Sequence, residues 1–240
     1  MSRVPAVVVA GPGTNRDRDV ATALELAGAS VRIVLAAELV ADPSLLDDAR
    51  LAVVAGGFSY ADSLGAGRML ALDLAVGLGD RLRSFVDAGR PVLGICNGFQ
   101  VLTRTGLLPG ALGHNAQGRF DCRWVVLDAD RTSVSVWTNG IDDPIHCPIA
   151  HGEGRYVHPD PESLARGGQV ALRYRSTNPN GSVDDIAGVC DPSGVVLGLM
   201  PHPENHIVTR QHPHHRRGGG GTPHLGLRLF DNGIRHAKGL

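Results

Sequence analysis

The chain has 240 residues, a formal net charge of −1, and 42% hydrophobic, 4% aromatic and 20% charged residues. That length supplies one large domain or two small ones with a sizeable core, and the scarcity of aromatics leaves Ala, Val, Leu and Ile to build it. The near-neutral balance excludes a dedicated nucleic-acid binder, which carries a basic stripe, and a polybasic membrane surface.

In chain order, residues 4–10 form an apolar run too short for a signal core or a membrane span, with Pro5 inside it. The run ends in Gly11-Pro12-Gly13-Thr14-Asn15, so it predicts a strand followed by a loop. Residues 31–35, 51–55 and 91–95 are similar short runs bounded by Gly, Asp or Pro, as strands buried on both faces of a parallel sheet require. Helical spacing fills the gaps at 17–27, at 66–76 with 80–88, and at 98–105. Asp17 and Asp19 suit a helix start, and Gly28 and Gly106 suit helix ends. This alternation predicts a doubly wound, mostly parallel α/β sheet.

The second half changes character. Residues 120–136 alternate as antiparallel strands do, and 170–176, 186–190 and 195–200 are further strand candidates between Asn/Pro/Gly/Asp turns. Residues 206–222, rich in Arg, His and Gly, read as a mobile, solvated loop that includes His212, His214 and His215. Leu225, Leu229 and Ile234 then mark a terminal helix over 225–237. With neither an internal repeat nor a linker, residues 1–240 read as a single domain. Cys96, Cys122, Cys147 and Cys190 are far apart with no CxxC pair, which predicts no disulfide frame, no metal site and a cytoplasmic setting. Lys238 is the only lysine, which removes a phosphate loop ending in Lys and an internal Schiff base.

The sharpest chemical signal is Gly94-Ile95-Cys96-Asn97-Gly98-Phe99-Gln100, where a buried strand runs straight into a helix. Gly-x-Cys-x-Gly at such a junction is the cysteine form of a nucleophile elbow. A thiol at a helix N-terminus is favoured as thiolate. A cysteine nucleophile needs a base with an orienting partner. His202-Pro203-Glu204 follows a predicted strand, and residues i and i+2 of an extended chain share a side. His151-Gly152-Glu153, inside a Gly-punctuated stretch over 147–156 that reads as a binding loop, has the same spacing and is a rival on that ground. Gly56-Gly57 follows another predicted strand, so its amides and that of Asn97 are candidate oxyanion donors beside Cys96.

With these residues laid out, the chain resembles the glutaminase subunits of phosphoribosylformylglycinamidine synthases, class I glutamine amidotransferases of purine biosynthesis. The resemblance rests on Gly11–Asn15 with Asp17-Arg18-Asp19, Gly56-Gly57-Phe58-Ser59-Tyr60, Gly94–Gln100, 106–112, 148–156 and 201–204. It implies a flavodoxin-like sheet, with Cys96 as nucleophile, His202 as base and acid, and Glu204 orienting it. Glutamine would lie against Gly56, Gly57, Asn97, Gln100, His151 and Gly152. Ammonia would pass to a separate synthetase subunit, where ATP and Mg belong, with a small third subunit bridging the two. The chain itself would need no cofactor, nucleic acid or membrane. Arg16 stands where the family usually has Cys, and Ala61, Ser63 and Gly65 replace the usual Gly, Tyr and Arg. A cysteine peptidase on a related sheet would share the elbow but has no evident need for Gln100 or the 151–154 loop. A non-catalytic binding subunit would not need Cys96, His202 and Glu204 together.

Overall fold

The computed structural model describes residues 3–218 and 225–240. The first half runs β1 (Val4–Ala10), α1 (Asp17–Leu26), β2 (Ala29–Leu35), α2 (Ala36–Ala41), β3 (Leu51–Val54), α3 (Arg68–Asp87), β4 (Val92–Ile95) and α4 (Asn97–Arg104). The second half adds β5 (Ala111–Gly113), β6 (Asp121–Ala129), β7 (Ile145–His151), β8 (Arg155–Val157), α5 (Pro161–Arg166), β9 (Val170–Tyr174), β10 (Ile186–Cys190), β11 (Val196–Leu199) and α6 (Leu227–Lys238).

Nine strands form one sheet in the order β2-β1-β3-β4-β11-β10-β9-β6-β7, and β5 pairs with β8 in a small second sheet. From β2 to β11 the pairings are parallel, and from β11 to β7 they are antiparallel. The doubly wound α/β expectation therefore holds, with the antiparallel strands of the second half continuing the same sheet. Every residue of β3, β4, β10 and β11 is buried, as expected of strands covered on both faces.

Several elements differ from the sequence expectation. Gly77 and Gly79 do not split the long helix, and α3 runs unbroken for 20 residues. Gly77 faces Val40 so closely that a Cβ there would stand 2.5 Å from its methyl group; the glycine serves the packing of α2 on α3. The stretch 147–156 is not all loop, because β7 occupies it through His151, paired antiparallel with β6. Helix α2, helix α5 and the β5–β8 sheet lacked a readable period.

Residues 206–218, expected as a solvated loop, contain 3-10 turns at Thr209–Gln211 and His215–Arg217. His206 and His212 are buried with Trp124, at ring separations of 5.0 and 4.6 Å, and the His206 Nδ1 lies 2.6 Å from the His146 carbonyl. An aromatic partner and a backbone acceptor offset the desolvation of these rings; His214 stays exposed. Residues 219–222 of that expected loop lie outside the described residues. Among the described residues no helix is long and apolar enough to cross a membrane.

Candidate active site

Three neighbouring parallel strands deliver the central residues to one edge of the sheet. Gly56 and Gly57 follow β3, Cys96 follows β4 and His202 follows β11. The carboxyl ends of parallel strands are where α/β sheets gather ligands. The register fixes the relation, since Gly94 pairs with both Val54 and Gly198. The Cys96 amide donates to the Leu199 carbonyl at 2.8 Å, tying the elbow to β11.

Cys96 sits at φ 52° and ψ −105°, a left-handed backbone for a residue with a Cβ. Conformations of this kind persist only where the surroundings enforce them. Here the flanking glycines allow it: a Cβ at Gly94 would stand 2.7 Å from the Gly98 carbonyl, and one at Gly98 would collide with the Val54 carbonyl. Gly56 lies against the site itself. A Cβ there would come within 2.9 Å of His202 Cε1 and 3.4 Å of Cys96 Cβ.

His202 and Glu204 are buried, and Nδ1 of the imidazole lies 2.7 Å from Oε1 of the carboxylate. Pro203 opens a 3-10 turn over Pro203–Asn205, and the His202 amide donates to the Pro148 carbonyl of β7 at 2.8 Å. The pair is thus fixed from both sides of the turn. Burial opposes a charged imidazole, but the negative charges of Glu204 and Cys96, with their hydrogen bonds, outweigh it and push His202 up to about 10. The remaining oxygen of Glu204, Oε2, has no hydrogen-bond partner. An uncompensated carboxylate oxygen in a buried site strengthens the demand for an imidazolium beside it.

The rival pair is not assembled. His151 is buried at the end of β7, with Nδ1 3.1 Å from Asn115 Oδ1 rather than paired with Glu153. Asn115 Nδ2 donates to the carbonyls of Arg119 and His151, and its Oδ1 accepts from the Gly154 amide. Oδ1 is therefore an acceptor, and His151 must carry its proton on Nδ1. Burial, reinforced by the nearby His202, pulls His151 down to about 4. Its Nε2 is buried without a partner.

Cys96 and His151 line a small cavity of about 140 Å³ with Gly57, Asp62, Gln100, Gly152 and Glu153. Phe58 and Phe120 also line it and stack on each other at 6.2 Å. Gln100 is held by its Nε2 donating to the Glu153 carbonyl at 2.6 Å, while its Oε1 accepts from Asn97 Nδ2. The Asn97 side chain also accepts from Ser59 Oγ and donates to Asp62 Oδ1 at 3.0 Å. Of the sequence-predicted residues, Gly57, Cys96, Gln100, His151 and Gly152 line this recess, whereas Gly56 and His202 stand beside Cys96, Asn97 holds Gln100, and Glu204 pairs with His202 behind it. Asp62, Asn115 and Phe120 escaped the sequence reading; Asp62 stands two residues past the Phe-Ser-Tyr signal, whereas nothing local marks Asn115 or Phe120.

The other cysteines are unsuited to this chemistry. Burial pushes the Cys147 thiol well up and the Cys190 thiol up to about 11, and exposed Cys122 lies on β6. Among the described residues, no group of three or more His, Cys, Asp or Glu is placed to hold a metal ion.

Comparison with known proteins identifies the family. Residues 3–237 match the family described as CobB/CobQ-like glutamine amidotransferase domain. The phosphoribosylformylglycinamidine synthase subunit PurQ of Treponema denticola is 44% identical, over 86% of this chain and 89% of that one. The subunit of the same name from Dehalococcoides mccartyi is 38% identical over 99% of both chains. A chain of the solved PurLQS structure from Thermotoga maritima superposes with a TM-score of 0.80 at 36% identity, covering 97% of this chain and 98% of that one. A putative GMP synthase subunit from Thermoplasma acidophilum, 16% identical with a TM-score of 0.65, shares the fold. The chain belongs to the CobB/CobQ-like glutamine amidotransferase family and, within it, to the PurQ subunits of phosphoribosylformylglycinamidine synthase.

Proposed function

We propose that this chain, read as one glutaminase domain, hydrolyses L-glutamine to glutamate and ammonia at Cys96. The observation that carries the reading is the Cys96 elbow set beside the buried His202–Glu204 pair, with Cys96 opening onto a recess that Gln100 and His151 also line. The Cys96 thiolate attacks the carboxamide carbon, and the oxyanion is taken by backbone amides near Gly57 and Asn97. His202 gives its proton to the departing nitrogen, so the carbon–nitrogen bond breaks and ammonia leaves with a glutamyl thioester on Cys96. Water then attacks the thioester with His202 as base, releasing glutamate and restoring the thiolate–imidazolium pair. Glu204 orients the ring and stabilises its charge.

By kinship with the PurQ subunits, the ammonia passes to a synthetase subunit in the cytoplasm. That subunit uses ATP and Mg to convert formylglycinamide ribonucleotide into its amidine, with a small bridging subunit in the complex. The test is Cys96→Ala in the assembled complex. Glutamine-dependent synthesis should vanish while synthesis from added ammonia continues. Loss of both activities in an intact complex refutes the division of labour.

A further inference from the structure

The turn that carries Glu204 is short, and the bonds inside it are local. The Asn205 amide donates to the His202 carbonyl at 3.2 Å and the His206 amide to the Pro203 carbonyl at 3.0 Å. Such bonds close the turn but do not fix its direction relative to Cys96; its ties to other elements do that. On one side they run to β7, through the His202 amide on the Pro148 carbonyl and the His206 ring on the His146 carbonyl. In the order of the sheet, β7 is the last strand beyond β11, on the side away from β4.

A second tie comes from the other half of the sheet. Asn205 Nδ2 donates to Asp19 Oδ2 at 3.0 Å, across 186 positions of the chain. Asp19 stands in the first turn of α1, the helix that follows β1, where the helix dipole favours a carboxylate. The same oxygen accepts from Arg16 Nη1 at 3.0 Å. Both members of that ion pair are partly exposed, so the pair adds little stability by itself. A carboxylate already pinned by Arg16 nevertheless loses less freedom when it meets Asn205.

We propose that Asp19 is a positioning residue for the glutaminase reaction: by holding Asn205 it fixes the Pro203–Asn205 turn to α1, and so keeps Glu204 on His202 and His202 beside Cys96. This rests on the glutaminase reading and deepens it by adding a residue that lies outside the lining of the recess. Glu204 sits in the turn between the ring it orients and the side chain that Asp19 holds. A shift of Asn205 is therefore passed to the carboxylate one residue away.

The test measures ammonia release from glutamine in the assembled complex for the unmodified chain, Asp19→Ala, Asp19→Asn, Asn205→Ala and the double variant Asp19→Ala/Asn205→Ala. Asp19→Ala should lower kcat by about tenfold and leave KM for glutamine within about twofold, because a misplaced base costs turnover rather than binding. Asp19→Asn keeps an oxygen for Asn205 and should regain most of that loss. Asn205→Ala should match Asp19→Ala, and the double variant should be no worse than either, as the two ends of one bond require. The alkaline limb of kcat should also begin at lower pH in Asp19→Ala. A Glu204 that meets Nδ1 less squarely holds the imidazolium proton less tightly, whereas a mere loss of stability leaves that limb in place. If Asp19→Ala does not fold, Asn205→Ala, which leaves α1 untouched, carries the same comparison of kcat and pH. An unchanged kcat in the folded variants, a loss confined to KM, an unmoved alkaline limb, or losses that add in the double variant overturn the role of Asp19. No ammonia from glutamine in the unmodified complex overturns the glutaminase reading itself, and the role of Asp19 with it.

Discussion

His202 and His151 each stand two residues before a glutamate, and both rings are buried, yet one is held charged and the other neutral. At His202 the chain turns at Pro203 so that Glu204 closes on Nδ1 at 2.7 Å, and the Glu204 carboxylate, with the Cys96 sulfur alongside, outweighs the burial that opposes a charged ring. At His151 the residue that follows is Gly152, Glu153 goes to the cavity, and a neutral amide, Asn115, meets the ring instead. The same spacing thus yields a proton donor in one place and an acceptor in the other. The lesson is that spacing makes a pair possible, while the groups that meet the ring fix its charge.

The most direct way to break this contrast is to remove each ring in turn. His202→Ala should lower turnover of glutamine hydrolysis by about 10³-fold, as the loss of a general acid–base does. His151→Ala should act mainly on KM. Steady-state kinetics of the two variants decide it, and a larger turnover loss for His151 would reverse the assignment. Next in size, Glu204→Gln should lower turnover by about 10- to 100-fold with little change in KM, as the orienting role proposed for the carboxylate requires. A mainly KM effect would place Glu204 in substrate recognition.

The contrast can also be sharpened by pH. His151 is held at about 4 in the folded chain, below its ordinary value of 6.5. An unfolded chain therefore binds a proton between those values that the folded one refuses, so stability falls as pH drops from 6.5 towards 4 and levels off below. His202 runs the other way. Raised to about 10, it contributes stability that is fully present below 6.5 and is lost as pH climbs through 10. Thermal unfolding against pH should show both limbs, with the acid limb shallower in His151→Gln and the alkaline limb shallower in His202→Gln. An unchanged acid limb in the former would show that other groups carry it.

The smallest effect concerns the loop that closes the recess. Tyr60, Ala61 and Asp62 all have positive φ. Tyr60 is anchored by its hydroxyl on Asp73 at 2.6 Å and Asp62 by Asn97, whereas Ala61, at φ 53° and exposed, has only its backbone donation to the Phe58 carbonyl. Ala61→Gly should relieve strain and stabilise the chain by about 1 kcal/mol, or about 2–4 °C in Tm. A lower Tm would mean that flexibility gained in the unfolded chain outweighs the strain relieved.

Much of the site was readable before any fold existed, for a local reason. A nucleophile elbow is built within five residues, so Gly94, Cys96 and Gly98 declare it by themselves, and the structure supplies the left-handed backbone that those glycines permit. The parallel half of the sheet was equally legible, because strands buried on both faces must be continuous apolar runs. The strands that carry Gly56, Cys96 and His202 were visible for the same reason. Chain order alone, however, could not say that β11 lies beside β4.

What the tertiary structure decided is everything that depends on which groups meet across long loops. Gly77 reads as a helix breaker until Val40 is seen packed on it. His212 reads as solvated until Trp124 covers it. Above all, the choice between two equal His-x-Glu spacings rests on Asn115, 36 residues before His151, and on the junction that sets Cys96 beside His202. Glycine turns and apolar periods are local properties of the chain and are written in its sequence. The charge of a buried imidazole depends on its neighbours through space, so only the folded arrangement determines it.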